Sequence, residues 1–242
     1  MSHSLLISDL HLSTAHPRST ELFLHFAANI APKAEALFIL GDLFEYWAGD
    51  DDLDDPFHQH ITGTLRELNE HGTRIFIMHG NRDFLMDKEL VSACNATLLE
   101  DPTMIALYGT PTLLTHGDTL CTGDTEYQRF RALVRNDAWQ SQFLSQPLTQ
   151  RKAQIEQLRM QSESQKRSKE MALMDVSLDA VHELLRQNAY PRLIHGHTHR
   201  PAKHLHHVDG HACQRWVLGD WDSRANALRC DQRGVRWEEI PV

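Results

Sequence analysis

Aspartate, histidine and asparagine recur in this chain in five short motifs, and most of them stand where an apolar run ends. The motifs are Asp9-Leu10-His11, Gly41-Asp42-Leu43, Gly80-Asn81-Arg82-Asp83, His116-Gly117-Asp118 and Gly196-His197-Thr198-His199. Taken singly, each has a plain reading as a helix cap, a turn or a packed histidine. Taken together and in order, they offer Asp9, His11, Asp42, Asn81, His116, His197 and His199 as metal donors. The donors are oxygen and nitrogen with no thiolate. That argues against a closed structural zinc site and suits Mn²⁺, Fe or a catalytic Zn²⁺.

The chemistry such a set can perform is phosphoester cleavage. A phosphodiester or pyrophosphate repels a nucleophile by its own charge. Two divalent cations about 3.5–4 Å apart bind the phosphate oxygens, deprotonate a bridging water and stabilise the in-line transition state. At least one carboxylate must bridge them. The glycines beside the donors let backbone pass close to a metal or adopt positive φ.

The constellation resembles the calcineurin-like metallophosphoesterase superfamily, from residue 4 to about residue 220. The resemblance implies two divalent metal ions, with Mn²⁺ expected. It places Asp9, His11, Asp42 and His199 on one metal, and Asp42, Asn81, His116 and His197 on the other. Asp42 would bridge, and Asn81, Arg82 and His116 would form the catalytic group. The chain departs from many members at Arg82, where they carry a His proposed to protonate the leaving group. A guanidinium does not readily release a proton. It clamps phosphate through paired hydrogen bonds, which favours a leaving group already stable as an anion.

That departure narrows the likeness. Ile7-Ser8-Asp9-Leu10-His11-Leu12, Leu40 through Trp47, His79 through Leu85, His116 through Cys121, Ala172 through Asp175 and His195 through Pro201 look like the branch that cleaves UDP-2,3-diacylglucosamine in lipid A synthesis. The resemblance then implies water attack on the α-phosphorus, releasing UMP and 2,3-diacylglucosamine 1-phosphate. It puts Asn81 and Arg82 on the diphosphate. It aligns Asp124, Ser162, Lys166, Lys169 and His197 with positions that bind nucleotide or glucosamine, with Tyr127 beside them. Lys166 departs from relatives that carry Asn. Two other functions stay open at this point. One is a general phosphodiesterase or nucleotide pyrophosphatase acting on a soluble substrate. The other is a metal-binding scaffold without catalysis.

These residues need elements to position them. Short apolar runs that end in Gly or a polar residue read as buried strands, and open α/β sheets gather ligands at the carboxyl ends of their strands. Apolar periodicity predicts helices near 19–30, 57–71 and 84–93, then two or three strands through residue 116. A set of helices is expected over about 124–170, another helix near 173–188, and short strands over 193–240. The expected fold is α/β: a two-sheet, four-layer αββα sandwich. It forms a single domain over 1–242, with a helical cap inserted at about 124–170.

Within the cap, Trp139, Phe143, Leu144 and Leu148 lie at roughly helical spacing, as a core face or as a groove for acyl chains. Between 149 and 170 the basic residues are Arg151, Lys152, Arg159, Lys166, Arg167 and Lys169, as a solvated face or as a contact with anionic lipid headgroups. The acidic run Asp50, Asp51, Asp52, Asp54 and Asp55 reads as a solvated loop. His204, His206 and His207 read as an exposed strand edge.

The net charge of −9 argues against a nucleic-acid partner, and no obligatory protein partner is evident. No run reaches the roughly 18 apolar residues of a membrane span. The strand-like start leaves no room for a signal peptide. Cys94, Cys121, Cys213 and Cys230 form no CxxC pair and are expected to be reduced thiols, with Cys121 packed rather than reactive. The expected location is the cytoplasm, peripheral to the inner membrane.

Overall fold

The apolar runs bury alternate residues on opposite faces. A computed structural model describes residues 2–166, 175–222 and 225–240. In it, β1 (Ser4–Ile7), β2 (Ala36–Leu40) and β3 (Arg74–Met78) are parallel neighbours. Leu5, Ile7, Leu37, Ile39, Ile75 and Ile77 enter one core. Leu6, Phe38, Leu40 and Met78 enter another. This is the two-residue side-chain period of a strand, with both faces covered as a parallel sheet requires.

The first core is closed by α1 (Pro17–Asn29), α2 (Pro56–Glu70) and α3 (Lys88–Cys94). They contribute Leu22, Phe23 and Phe26, then Ile61, Leu65 and Leu68, then Leu90. Proline stands in the first turn of α1 and α2, where its missing N–H costs nothing. The helix expected over 84–93 begins only at Lys88. Residues 83–86 are drawn into a turn in which Met86 N donates to Asp83 O at 3.1 Å. The start of α3 is capped from outside, by the Asp50 carboxylate accepting from Glu89 N at 2.9 Å and Leu90 N at 3.0 Å.

β4 (Thr97–Leu99) completes one side of this sheet. The second sheet starts with the hairpin β5 (Thr103–Leu107) and β6 (Thr110–Thr115). Three helices follow: α4 (Thr125–Val134), α5 (Asp137–Leu144) and α6 (Leu148–Lys166). Next comes α7 (Leu178–Gln187), with Ser177 as its N-cap; residues 173 and 174 of the helix expected near 173–188 lie outside the described residues. β7 (Arg192–His195), β8 (Ala202–Val208) and β9 (His211–Val217) finish the second sheet, in the order β5-β6-β7-β9-β8. The chain then returns to the first sheet through β10 (Asn226–Asp231) and β11 (Gly234–Glu239), giving β11-β10-β1-β2-β3-β4.

Leu114, Ile194 and Trp216 face the first sheet, whereas Leu113 and Leu193 face Val181 and Leu185 of α7. The stacking is helix, sheet, sheet, helix. Because β1, β2 and β3 run parallel, as do β6 and β7, their carboxyl ends share one rim. Asp9, Asp42, Asn81, His116 and His197 each follow within three residues of one of those ends. Among the described residues no helix is long and apolar enough to cross a membrane.

Two sequence expectations change here. The acidic run is a solvated loop only in part: Asp51 and Asp54 are exposed, but the segment is also bonded to the cap. Asp52 is buried and lies 2.6 Å from Lys152 Nζ; Asp51 pairs with Arg151. Part of the basic run on α6 is therefore spent on that acidic run, because a cation as buried as Arg151 needs a partner. His206 is also buried rather than exposed. Its Nε2 accepts from Arg215 Nε at 3.1 Å, and its Nδ1 lies 3.3 Å from His182 Nε2.

Candidate active site

At the shared rim the chain turns sharply. Asp9, His11, Asp42, His197 and His199 all sit at φ between 51° and 68°, the left-handed region that L side chains rarely adopt. Such outliers cluster where a structure trades backbone comfort for side-chain placement. Backbone bonds hold the turns: Asp9 N donates to Gly41 O at 3.1 Å, and His11 N to Asp42 O at 3.0 Å. Two glycines permit the close approach. A Cβ on Gly80 would run into the Asp42 carboxylate, and one on Gly196 into Ser8 Oγ and the Asp9 carboxylate.

The side chains converge. Asp42 Oδ2 lies 3.8 Å from His11 Nε2 and 3.8 Å from His116 Nε2. Asp9 Oδ1 is 3.4 Å from His199 Nε2, and His11 Nε2 is 3.3 Å from His199 Nε2. Asn81 Oδ1 sits 3.0 Å from His116 Nε2 and 2.8 Å from His197 Nδ1. Asp9, His11 and His199 offer ligand atoms within 4.8 Å of one another, as do Asp9, Asp42 and His116.

The outward-facing nitrogens show how the rings are set. His11 Nδ1 lies 2.9 Å from Glu45 Oε2, His199 Nδ1 lies 3.1 Å from Asp220 Oδ2, and His116 Nδ1 lies 2.9 Å from Leu40 O. Each Nδ1 has an acceptor within 3.1 Å, the His11 contact with Glu45 being a close ion-pair approach outside hydrogen-bond geometry, and each Nε2 lies toward the centre. Metal-binding histidines are held in this way. The donors fit divalent cations.

Electrostatics follow the same pattern. Burial opposes charge on His116, yet Asp42, Asp9 and Asp118 together carry it up to about 9. Burial likewise opposes charge on His199, but Asp220 and Asp9 raise it to about 10. His197 goes the other way, to about 4, through burial and the neighbouring His116. Burial, with Asp42 beside it, pushes Asp83 up to about 6. The Asp83 carboxylate accepts from Gly80 N at 2.8 Å and Leu43 N at 2.7 Å, clamping the β2 and β3 loops together.

A cleft of ≈ 920 Å³ opens from the cluster. It is lined by the donors Asp9, His11, Asp42, Asn81, His197 and His199 and by the apolar side chains Phe84, Phe130, Trp139, Phe143, Ile155 and Leu158. Arg82, Asp124 and Tyr127 line it too. Asp124 caps α4, accepting from Tyr127 N at 3.1 Å. The Tyr127 ring stacks on His197 with centroids 5.9 Å apart, and its hydroxyl donates to Asp118 at 2.7 Å. Cys121 is buried, and burial pushes its thiol up to about 12.

Of the apolar set on the cap, Phe143 is buried in the first core while Leu144 is 40% exposed. Phe143 belongs both to the core and to the cleft wall. Ser162 and Lys166 fall on the last turns of α6; Lys169 lies outside the described residues. Sequence reasoning missed Glu45, Asp220 and Arg159. Glu45 stands inside a recognised motif, but nothing local marks it as a partner of His11. Asp220 follows a short loop beyond β9 and carries no periodic signal.

The model for calcineurin-like phosphoesterases matches residues 3–201, and the chain belongs to that family. Among its curated relatives is the UDP-2,3-diacylglucosamine hydrolase of Aromatoleum aromaticum, 51% identical over 96% of this chain and 94% of that one. Another of the same name, from Edwardsiella ictaluri, is 46% identical over 99% of this chain and 92% of that one. The Cellvibrio japonicus protein of that name is 46% identical over 96% and 97%.

Proposed function

We propose that the chain hydrolyses the pyrophosphate bond of UDP-2,3-diacylglucosamine, a step of lipid A biosynthesis. Water attacks the α-phosphorus, and the products are UMP and 2,3-diacylglucosamine 1-phosphate. The observation that carries this reading is the joining of two environments in one cleft. Six of the seven donors line the same cleft as Phe84, Phe130, Trp139 and Leu158. A soluble phosphodiester has no use for the second half. The names of the relatives point the same way.

Asp9, His11, Asp42 and His199 would hold one metal, and Asp42, Asn81, His116 and His197 the other, with Mn²⁺ as the ion. Equal 3.8 Å approaches of Asp42 Oδ2 to His11 and His116 suit it for bridging. Bound there, a metal pair supplies a water activated at neutral pH and charge for the phosphate oxygens. The protein's own groups do the rest. Arg82 binds the diphosphate and neutralises charge on the departing phosphate. Asp124, Tyr127, Ser162, Lys166, Lys169 and His197 bind the nucleotide and glucosamine. The aromatic wall takes the acyl chains, each buried CH₂ contributing about 0.8 kcal/mol.

The cap works at the cytoplasmic face of the inner membrane, where such a substrate lies. Exposed Leu133, Leu144, Leu158 and Met160 support that contact. The basic run supports it less, since Lys152 and Arg159 face Asp52 and Glu45. The test is product analysis with UDP-2,3-diacylglucosamine and Mn²⁺ in detergent, using UDP-glucosamine as control. Release of UMP from the lipid substrate alone is expected. Equal turnover of both would return the chain to general nucleotide pyrophosphatases.

A further inference from the structure

Helix α6 turns a stripe of Arg151, Lys152, Ile155 and Arg159 toward the body. Ile155 packs on the first core. The cations meet the segment after β2: Arg151 on Asp51, Lys152 on Asp52, and Arg159 on Glu45. The last contact differs from the others in what lies behind it. Arg159 Nη2 donates to Glu45 Oε1 at 2.6 Å, while Glu45 Oε2 lies 2.9 Å from His11 Nδ1. Glu45 is only 7% exposed, so its carboxylate is held between a cap residue and a donor of the metal cluster. Arg82 Nη1 approaches the same oxygen only to 3.9 Å. Arg159 also lines the cleft, as do Ile155 and Leu158, and its Nε is buried with no hydrogen-bond partner among the described residues.

We propose that Arg159 is a positioning residue that couples the seat of the cap helix to the metal centre through Glu45 and His11. The carboxylate can orient the His11 ring only while it is itself fixed, and Arg159 is the charged group that fixes it. An acyl chain seated against Ile155 and Leu158 therefore presses on the residue that aligns His11. Occupancy of the apolar part of the cleft and the strength of the metal site become one linked quantity. The inference rests on the two-metal reading above, and it concerns residues that do not touch the metals.

Calorimetric titration of metal-stripped full-length protein with Mn²⁺ tests it without substrate. Removing a group that orients a metal-bound histidine typically weakens metal binding on the order of 10–100-fold. Arg159→Met should fall in that range, Arg159→Lys should recover part of the loss, and Glu45→Gln should lose at least as much as Arg159→Met. Arg151→Met removes a neighbouring contact of the same helix that does not lead to His11. It should lower the melting temperature yet keep the wild-type Mn²⁺ affinity. Wild-type affinity in Arg159→Met would overturn the proposal, and so would equal losses in Arg151→Met and Arg159→Met, which would mean general loosening of the cap. The isotherms and the product analysis fail separately. A chain that releases no UMP yet loses Mn²⁺ affinity in Arg159→Met refutes the substrate and keeps the coupling.

Discussion

Individual side chains carry the sharpest tests. Asp42 Oδ2 lies equally close to two histidines of the cluster, so Asp42→Ala should abolish turnover and reduce bound metal, measured by elemental analysis. Activity near wild type at limiting Mn²⁺ would end the bridging role. Asn81→Ala removes one neutral donor and should be milder. Arg82→Ala should lose on the order of 10²–10³ in kcat, the usual cost of one donor to developing charge. Lysine should restore only part, lacking the planar fork. An Arg82→His variant as fast as wild type, with a new acidic limb in its pH profile, would instead favour proton donation. The donors themselves were legible because a polar residue after a buried apolar run is locally anomalous. Glu45 and Asp220 were not, because their roles exist only once distant turns meet.

Elements decide where lipid selectivity can be tested. Phe143 is buried in the core as well as facing the cleft, so Phe143→Asp should lower the melting temperature and cannot report on lipid alone. Leu158 lines the same cleft and is 40% exposed. Leu158→Asp should raise KM for the diacyl substrate with an unchanged melt, and leave hydrolysis of bis(p-nitrophenyl) phosphate alone. Unaltered lipid KM in a stable variant would remove this wall from the acyl site. The strands and helices α1 and α2 could be read from apolar runs and their period. The start of α3 could not, because its cap comes from Asp50 on another segment. Nor could the pairing of the acidic run with α6: each reads as a solvated face until the helix is laid across the loop.

On the scale of the whole molecule, ligand binding should appear as stability. A ligand that binds only the folded chain adds about 2.7 kcal/mol at one hundred times its Kd. Mn²⁺ should therefore raise the melting temperature, and EDTA should reverse the gain. Asp42→Ala should show little of either. A wild-type melt indifferent to Mn²⁺ would contradict a cluster built around cations. The layered architecture was predictable, since runs that alternate between two cores require cover on both sides. Which loops meet at the rim depends on the chain crossing between sheets, which no local pattern records.

The donors do not all come from one sheet. Asp9, His11, Asp42 and Asn81 follow strands of the first, while His116, His197 and His199 follow strands of the second. Any cation they share is thus a rivet through two plates. Slippage of one plate over the other would open the seven-donor set, however intact each loop remained. The packing of Phe38, Leu114 and Ile194 between the plates then acts as the alignment jig for the rivet hole. Wear in that distant apolar layer would be felt first as a loose metal, before any loss of fold.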